Sequence, residues 1–276
     1  MQDPRRIAAG AMLLLGIALA QSARAQDDGH AATDDAQTVQ TLLEAEATGR
    51  LLYRHDQAAA RATDAVMELE AFRQDSKQGR LGGWISEARG DGIVVSFLSS
   101  EAIPRARYRV EVSGDGRVNG EVQALPEPAT LTDRERAAAQ ARSTAAAATF
   151  EACSRSYNSV VLPAPRAPEG GWTVYLLPGT TQHGIVPIGG SYRFDLDASG
   201  TRLLRQRGFT RSCIVLDNPR EAEALMVTHL LDPAPTEVHV FWSLWADKPL
   251  YVGTSAGTWS IEQGHVRLVE RSKDIP

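Results

Sequence analysis

At Leu81 the hydrophobic period of this chain changes, and that change constrains its fold more than any other feature. Upstream, Ala62, Val66, Leu69 and Phe72 recur at spacings of four, three and three, the period of an amphipathic helix. Downstream, Tyr108, Val110 and Val112 alternate with Arg107, Arg109 and Glu111, the period of a half-buried strand. Gly79 stands at the junction as a helix stop, with Arg73 and Lys77 suited to the negative end of the helix dipole. Earlier, Leu42, Leu43 and Ala47 form a short helical face; Gly49 is expected to interrupt it, with a second helix starting near Arg50.

After Leu81 the turns recur. Arg89-Gly90-Asp91-Gly92 separates Trp84–Glu87 from Ile93–Leu98, and Ser113-Gly114-Asp115-Gly116 leads into Val118–Val122. These are hairpin connections, so the helix is followed by about four antiparallel strands, closed by Pro126-Glu127-Pro128. Thr132 with Glu135 three positions on is a capping box. It opens an alanine-rich helix expected to run to about Cys153.

The rest reads mainly as strand. Val160–Leu162 and Trp172–Leu177 are separated by Pro163, Pro165 and Pro168, and Tyr192–Leu196 turns at Asp197–Gly200 into Thr201–Arg207. A short helix is expected from Glu221 to about Leu231, then strands at Val238–Trp245, Leu250–Gly253, Thr258–Ile261 and Val266–Val269. Helices alternating with hairpin runs specify an α+β fold: an N-terminal helical region plus antiparallel meander, an Ala-rich helix, then a mainly antiparallel C-terminal half with one short helix. The expected division is a helix-plus-meander unit over 37–128 and an α+β unit over 129–276, separate or continuous.

The first 25 residues read as a secretory leader. Arg5 and Arg6 precede a 14-residue apolar run, Ile7–Ala20, and Ala23-Arg24-Ala25 supplies a small-residue cleavage site. The run is shorter than the ~20 residues a spanning helix needs, and no later stretch reads as a transmembrane segment. Residues 26–36, acidic and polar, read as a flexible tail. Cleavage would remove Asp3, Arg5, Arg6 and Arg24. The chain then goes from 29 basic and 34 acidic groups to 26 and 33, a net charge of −7. With no basic patch, nucleic acid is excluded as a partner class. The expected location is periplasmic or secreted. In an oxidising compartment the two cysteines, Cys153 and Cys213, read as one disulfide.

No motif specifies a reaction or a cofactor. Gly253-Thr254-Ser255-Ala256-Gly257 matches G-x-S-x-G, but a nucleophile elbow needs a helix after the serine, and Thr258–Ile261 reads as strand. A glycine-rich hairpin turn is expected instead. Asp274, in the tail, is the only aspartate downstream. His229 and Asp232 are three residues apart and could share a helix face, with His239 and Glu237 as further ligands in a metal reading; the spacing matches no zinc framework. His183 lies in the polar loop Gly179–Gly184, a place where function often resides. His55 and Asp56, adjacent on a helix, point about 100° apart and read as surface or inter-element contacts. Gly189-Gly190 lacks the lysine and the helix of a phosphate loop.

Phe241, Trp242, Trp245, Tyr251 and Trp259 fall within nineteen residues. A strand apolar on both faces is sandwiched in a core or presents one face to a ligand. If exposed, these rings would stack on glycans or form a protein hot spot. The leading functional expectation is an exported envelope protein that binds a protein or glycan partner without catalysis. The alternative is a hydrolase using a His/carboxylate site that only folding assembles from His183, His229 or His239.

Overall fold

The computed structural model describes residues 16–164 and 170–272. The leader's first 15 residues, Pro165, Pro168 and Asp274 lie outside the described residues. The chain divides into two units, Met1–Glu44 and Ala45–Pro276, so Pro126-Glu127-Pro128 falls inside the second. The described part of the first unit is helical throughout and belongs to α1 (Gly16–Met67). Residues 26–36, expected as a flexible tail, are therefore helical. Among the described residues no helix is long and apolar enough to cross a membrane.

In the second unit α1 continues unbroken through Gly49, against the interruption expected there. The reason is packing. A Cβ at Gly49 would lie 2.5 Å from the Cβ of Val240 and 2.7 Å from the carbonyl oxygen of Glu237, so the glycine lets another helix approach closely. The helix-propensity cost, ~1 kcal/mol, is offset by that approach. Gly49→Leu should therefore lose about 3 kcal/mol of stability through overpacking. Urea unfolding measures this, and a wild-type midpoint would remove the close-approach explanation.

After a break at Glu68–Leu69, α2 (Glu70–Lys77) ends at Gly79, whose φ is +66°. Four strands follow, β1 (Leu81–Arg89), β2 (Gly92–Ser99), β3 (Ala106–Val112) and β4 (Val118–Ala129). Each pairs antiparallel with the next, as the alternation and turns predict. One face of this sheet packs Ile93, Val95, Phe97, Tyr108 and Val110 against Ala58, Ala62, Val66 and Phe72 of the helices. Phe72 stands edge-on to Phe97 and Tyr108, ring centres 5.3 and 5.1 Å away.

The capping box forms as expected. The Thr132 hydroxyl accepts from the Glu135 N–H, and the Glu135 carboxylate accepts from the Thr132 N–H. It starts α3 (Asp133–Ala147), which ends before Cys153. A second antiparallel sheet comprises β5 (Tyr157–Pro163), β6 (Trp172–Pro178), β8 (Tyr192–Leu196) and β9 (Leu203–Gly208), in that order. The short β7 (Ile185–Val186) pairs with β10 (Leu216–Asp217). Side chains alternate across the second sheet. Val161, Val174, Leu176 and Phe194 meet the alanines of α3. Val160, Leu162, Tyr175 and Leu177 meet the C-terminal core.

Two C-terminal expectations are corrected. Glu221–Leu231 is not a helix: it contains strand β11 (Leu225–Thr228), whose residues alternate buried and exposed. Val238–Trp245 is not a strand: it lies in helix α4 (Glu237–Ala246). A helix apolar all round is one buried all round. Here α4 packs against the second sheet and against β12 (Leu250–Thr254) and β13 (Gly257–Glu262). With β14 (His265–Arg271) the third sheet runs β11-β12-β13-β14. Its β11–β12 pair is parallel, the others antiparallel.

Cys153 and Cys213 form a disulfide across a separation of 60 residues. A Cβ on Gly190, whose φ is +83°, would lie 2.6 Å from the Cys153 sulfur. The glycine pair at 189–190 makes room for the bridge.

Candidate functional site

The structure brings together two of the three candidate histidines. His229 directly follows β11, and His239 lies in the first turn of α4. Their rings stand edge to face with centres 4.5 Å apart. His229 Nε2 lies 2.7 Å from Asp232 Oδ2, so the expected pairing occurs, made by the turn after a strand and not by a helix face. Arg207 of β9 donates to the same carboxylate oxygen. His239 Nδ1 accepts from the Thr236 N–H at 3.1 Å and lies 2.9 Å from the Thr236 hydroxyl. Burial, with the charges of His229 and Arg207, pushes the His239 pKa down to about 3. His183 is exposed on its loop, and no hydrogen bond, ion pair or ring contact links it to the other two.

Glu237, the other ligand of the metal reading, accepts from the Tyr175 hydroxyl at 2.9 Å. Among the described residues, no group of three or more His, Cys, Asp or Glu side chains is placed to hold a metal ion.

The aromatic cluster is largely interior. Phe241, Trp242 and Trp259 are buried, while Trp245 and Tyr251 are half-buried. Trp242 packs edge-on against Phe241 and Trp245, at 4.8 and 5.4 Å. Three of the five rings therefore cannot offer a stacking face to a glycan. Ser255 sits on the exposed β12–β13 hairpin turn, with strand on both sides.

His55 and Asp56 are both buried and reach different elements. His55 Nδ1 lies 2.8 Å from the Ser86 hydroxyl, and Asp56 accepts from Asn158 Nδ2 at 2.9 Å. Burial pushes the His55 ring down to about 4, with Arg54 adding to it. Burial also raises the Asp56 carboxyl, against hydrogen bonds from Asn158 and Gln57.

A site that sequence reasoning missed lies between α2 and the β3–β4 edge. Asp75 of α2 is buried, its carboxylate 2.6 Å from Arg80 Nη2, 2.6 Å from Arg107 Nε and 2.9 Å from the Tyr108 hydroxyl. Burial alone would raise this carboxyl. The hydrogen bonds from Arg107 and Tyr108, and the charges of Arg107 and Arg80, outweigh burial and hold it below the ordinary value. These residues border a pocket of about 250 Å³ whose other walls include Ala71, Leu125, Pro126 and Pro128. One signal was available: Asp75 falls three residues after Phe72, which puts an acid on the apolar face of the helix. Such an acid must find cations or hydrogen-bond donors.

No protein-family model, curated protein or solved structure matches the chain.

Proposed function

We propose that this is an exported envelope protein that binds a ligand or partner without transforming it. Export is supported by the basic-apolar-small pattern of residues 5–25 and by the Cys153–Cys213 bridge, a bond typical of oxidising compartments. The observation that carries the non-catalytic reading is the state of the histidine cluster. Asp232 is shared between His229 and Arg207, and His239 Nδ1 is taken by the first turn of α4. A general base needs its free nitrogen beside a proton it can abstract. Here these bonds tie β9, the 229–236 turn and α4 together.

The alternative, a hydrolase, draws on the same 2.7 Å His229–Asp232 contact, since a carboxylate-oriented imidazole is part of many hydrolytic sites. Two measurements separate the readings. The oxidised protein, used as bait in envelope extracts, should retain a partner or ligand. On chromogenic ester, amide and glycoside substrates it should show no turnover. Hydrolysis that disappears in His229→Ala would replace the binding reading with the enzymatic one.

A further inference from the structure

We propose that the pocket between α2 and the β3–β4 edge binds a small organic carboxylate, held by the Arg107 and Arg80 guanidinium groups with its apolar body against Leu125, Pro126 and Pro128. This deepens the binding reading above by naming a ligand chemistry.

Charge comes first. The pocket lining holds two guanidinium groups and one carboxylate, Asp75, so one positive charge is left over and a monoanion would balance it. Donors come second. Arg107 meets Asp75 through Nε and Arg80 through Nη2. Arg107 hydrogen-bonds Asp75 through Nε alone, so its terminal amino groups are not spent on that carboxylate. Two parallel N–H groups on a planar fork match a carboxylate.

The guanidinium is also fixed in advance. Asp75 is only 3% exposed and is held by three partners, so it orients Arg107 without turning away. Pre-orientation lowers the ordering cost of binding. Apolar shape comes last. Pro126 and Pro128 lie on β4, an edge strand of its sheet, where proline's missing N–H costs no ladder bond and discourages a further strand from pairing. They form a stiff wall that selects for hydrocarbon. The pocket, about 250 Å³, lies just below the ~300 Å³ where drug-sized sites begin, which restricts the ligand to a small acid.

The test uses the oxidised protein with benzoate, benzamide and inorganic phosphate, followed by backbone amide spectra. Benzoate should give saturable shifts at residues 71–75, 80 and 107–108, and benzamide, which has the same shape but no charge, should not. Arg107→Gln should weaken benzoate by about ten-fold or more, roughly 1.4 kcal/mol. Should that variant fail to fold, the half-exposed Arg80→Gln reads the same quantity. Equal shifts from benzamide, no saturation by benzoate, or a preference for phosphate would overturn the proposal. None of those outcomes touches the wider binding reading, which stands or falls on capture from envelope extracts and on turnover.

Discussion

Acidification from pH 7.5 to pH 5 should cost the folded protein about 4 kcal/mol through two histidines alone. Burial lowers His55 to about 4 and His239 to about 3, from an ordinary value of 6.5. Above pH 6.5 both rings are neutral in the folded and unfolded chains, and stability is fully present. As pH falls through 6.5 the unfolded chain takes up protons that the folded chain refuses. Stability then drops until the folded rings protonate, near pH 4 for His55 and near pH 3 for His239. Each pH unit inside that window is worth about 1.4 kcal/mol per histidine. Asp56 opposes this, because its raised carboxyl takes a proton in the folded state first. Asp75 adds losses as pH falls through the carboxylate range, and so does Glu46 of α1, whose carboxyl burial would raise but hydrogen bonds from the Val266 N–H and Arg50 hold low. Urea midpoints at pH 7.5, 6 and 5 measure the slope. A flat profile would mean that the two rings are hydrated in the folded protein.

Breaking the Cys153–Cys213 bond should cost a similar amount. It closes a loop of 60 residues, which in the chain-entropy model corresponds to about 4 kcal/mol. The loop contains the whole of β5 to β9, so the reduced unfolded chain gains freedom over the entire second sheet. Denaturant midpoints with and without reductant read the difference, and a thiol count on the natively purified protein should give zero. Two free thiols, or a midpoint indifferent to reductant, would contradict it.

The hairpin sheet and the disulfide were legible because their signals are local or forced. Alternation at 108–112, with one Gly-Asp turn after it and another between β1 and β2, leaves little choice of pairing, and two cysteines allow one bond. Two of the errors share a cause: a tertiary neighbour overrode a local preference. Gly49 resembles a break until the backbone of α4 is seen beside it. Val238–Trp245 carries valine, phenylalanine and tryptophan, residues of high strand propensity, yet burial on every side suits them equally to a core helix. Leu225–Thr228 is so short that its period of two is hard to separate from helical noise. The Asp75 site is assembled from residues up to 57 positions apart, from Ala71 to Pro128, and no motif spans that distance. The His229–Asp232 pair was found at the right residues on the wrong element, because a turn and a helix both bring positions three apart together.

The parallel pairing of β11 with β12 bears on the order in which the molecule assembles. Hairpin neighbours such as β1 and β2, or β12 and β13, meet after closing only a few residues of chain. Strand β11 reaches β12 only after the chain has travelled the length of α4 and returned, and such non-local pairings lag behind local ones. It then sits at the sheet border with one ladder holding it. The segment that carries His229 and Asp232 is thus among the last to join its sheet and, by the same reasoning, among the first to leave.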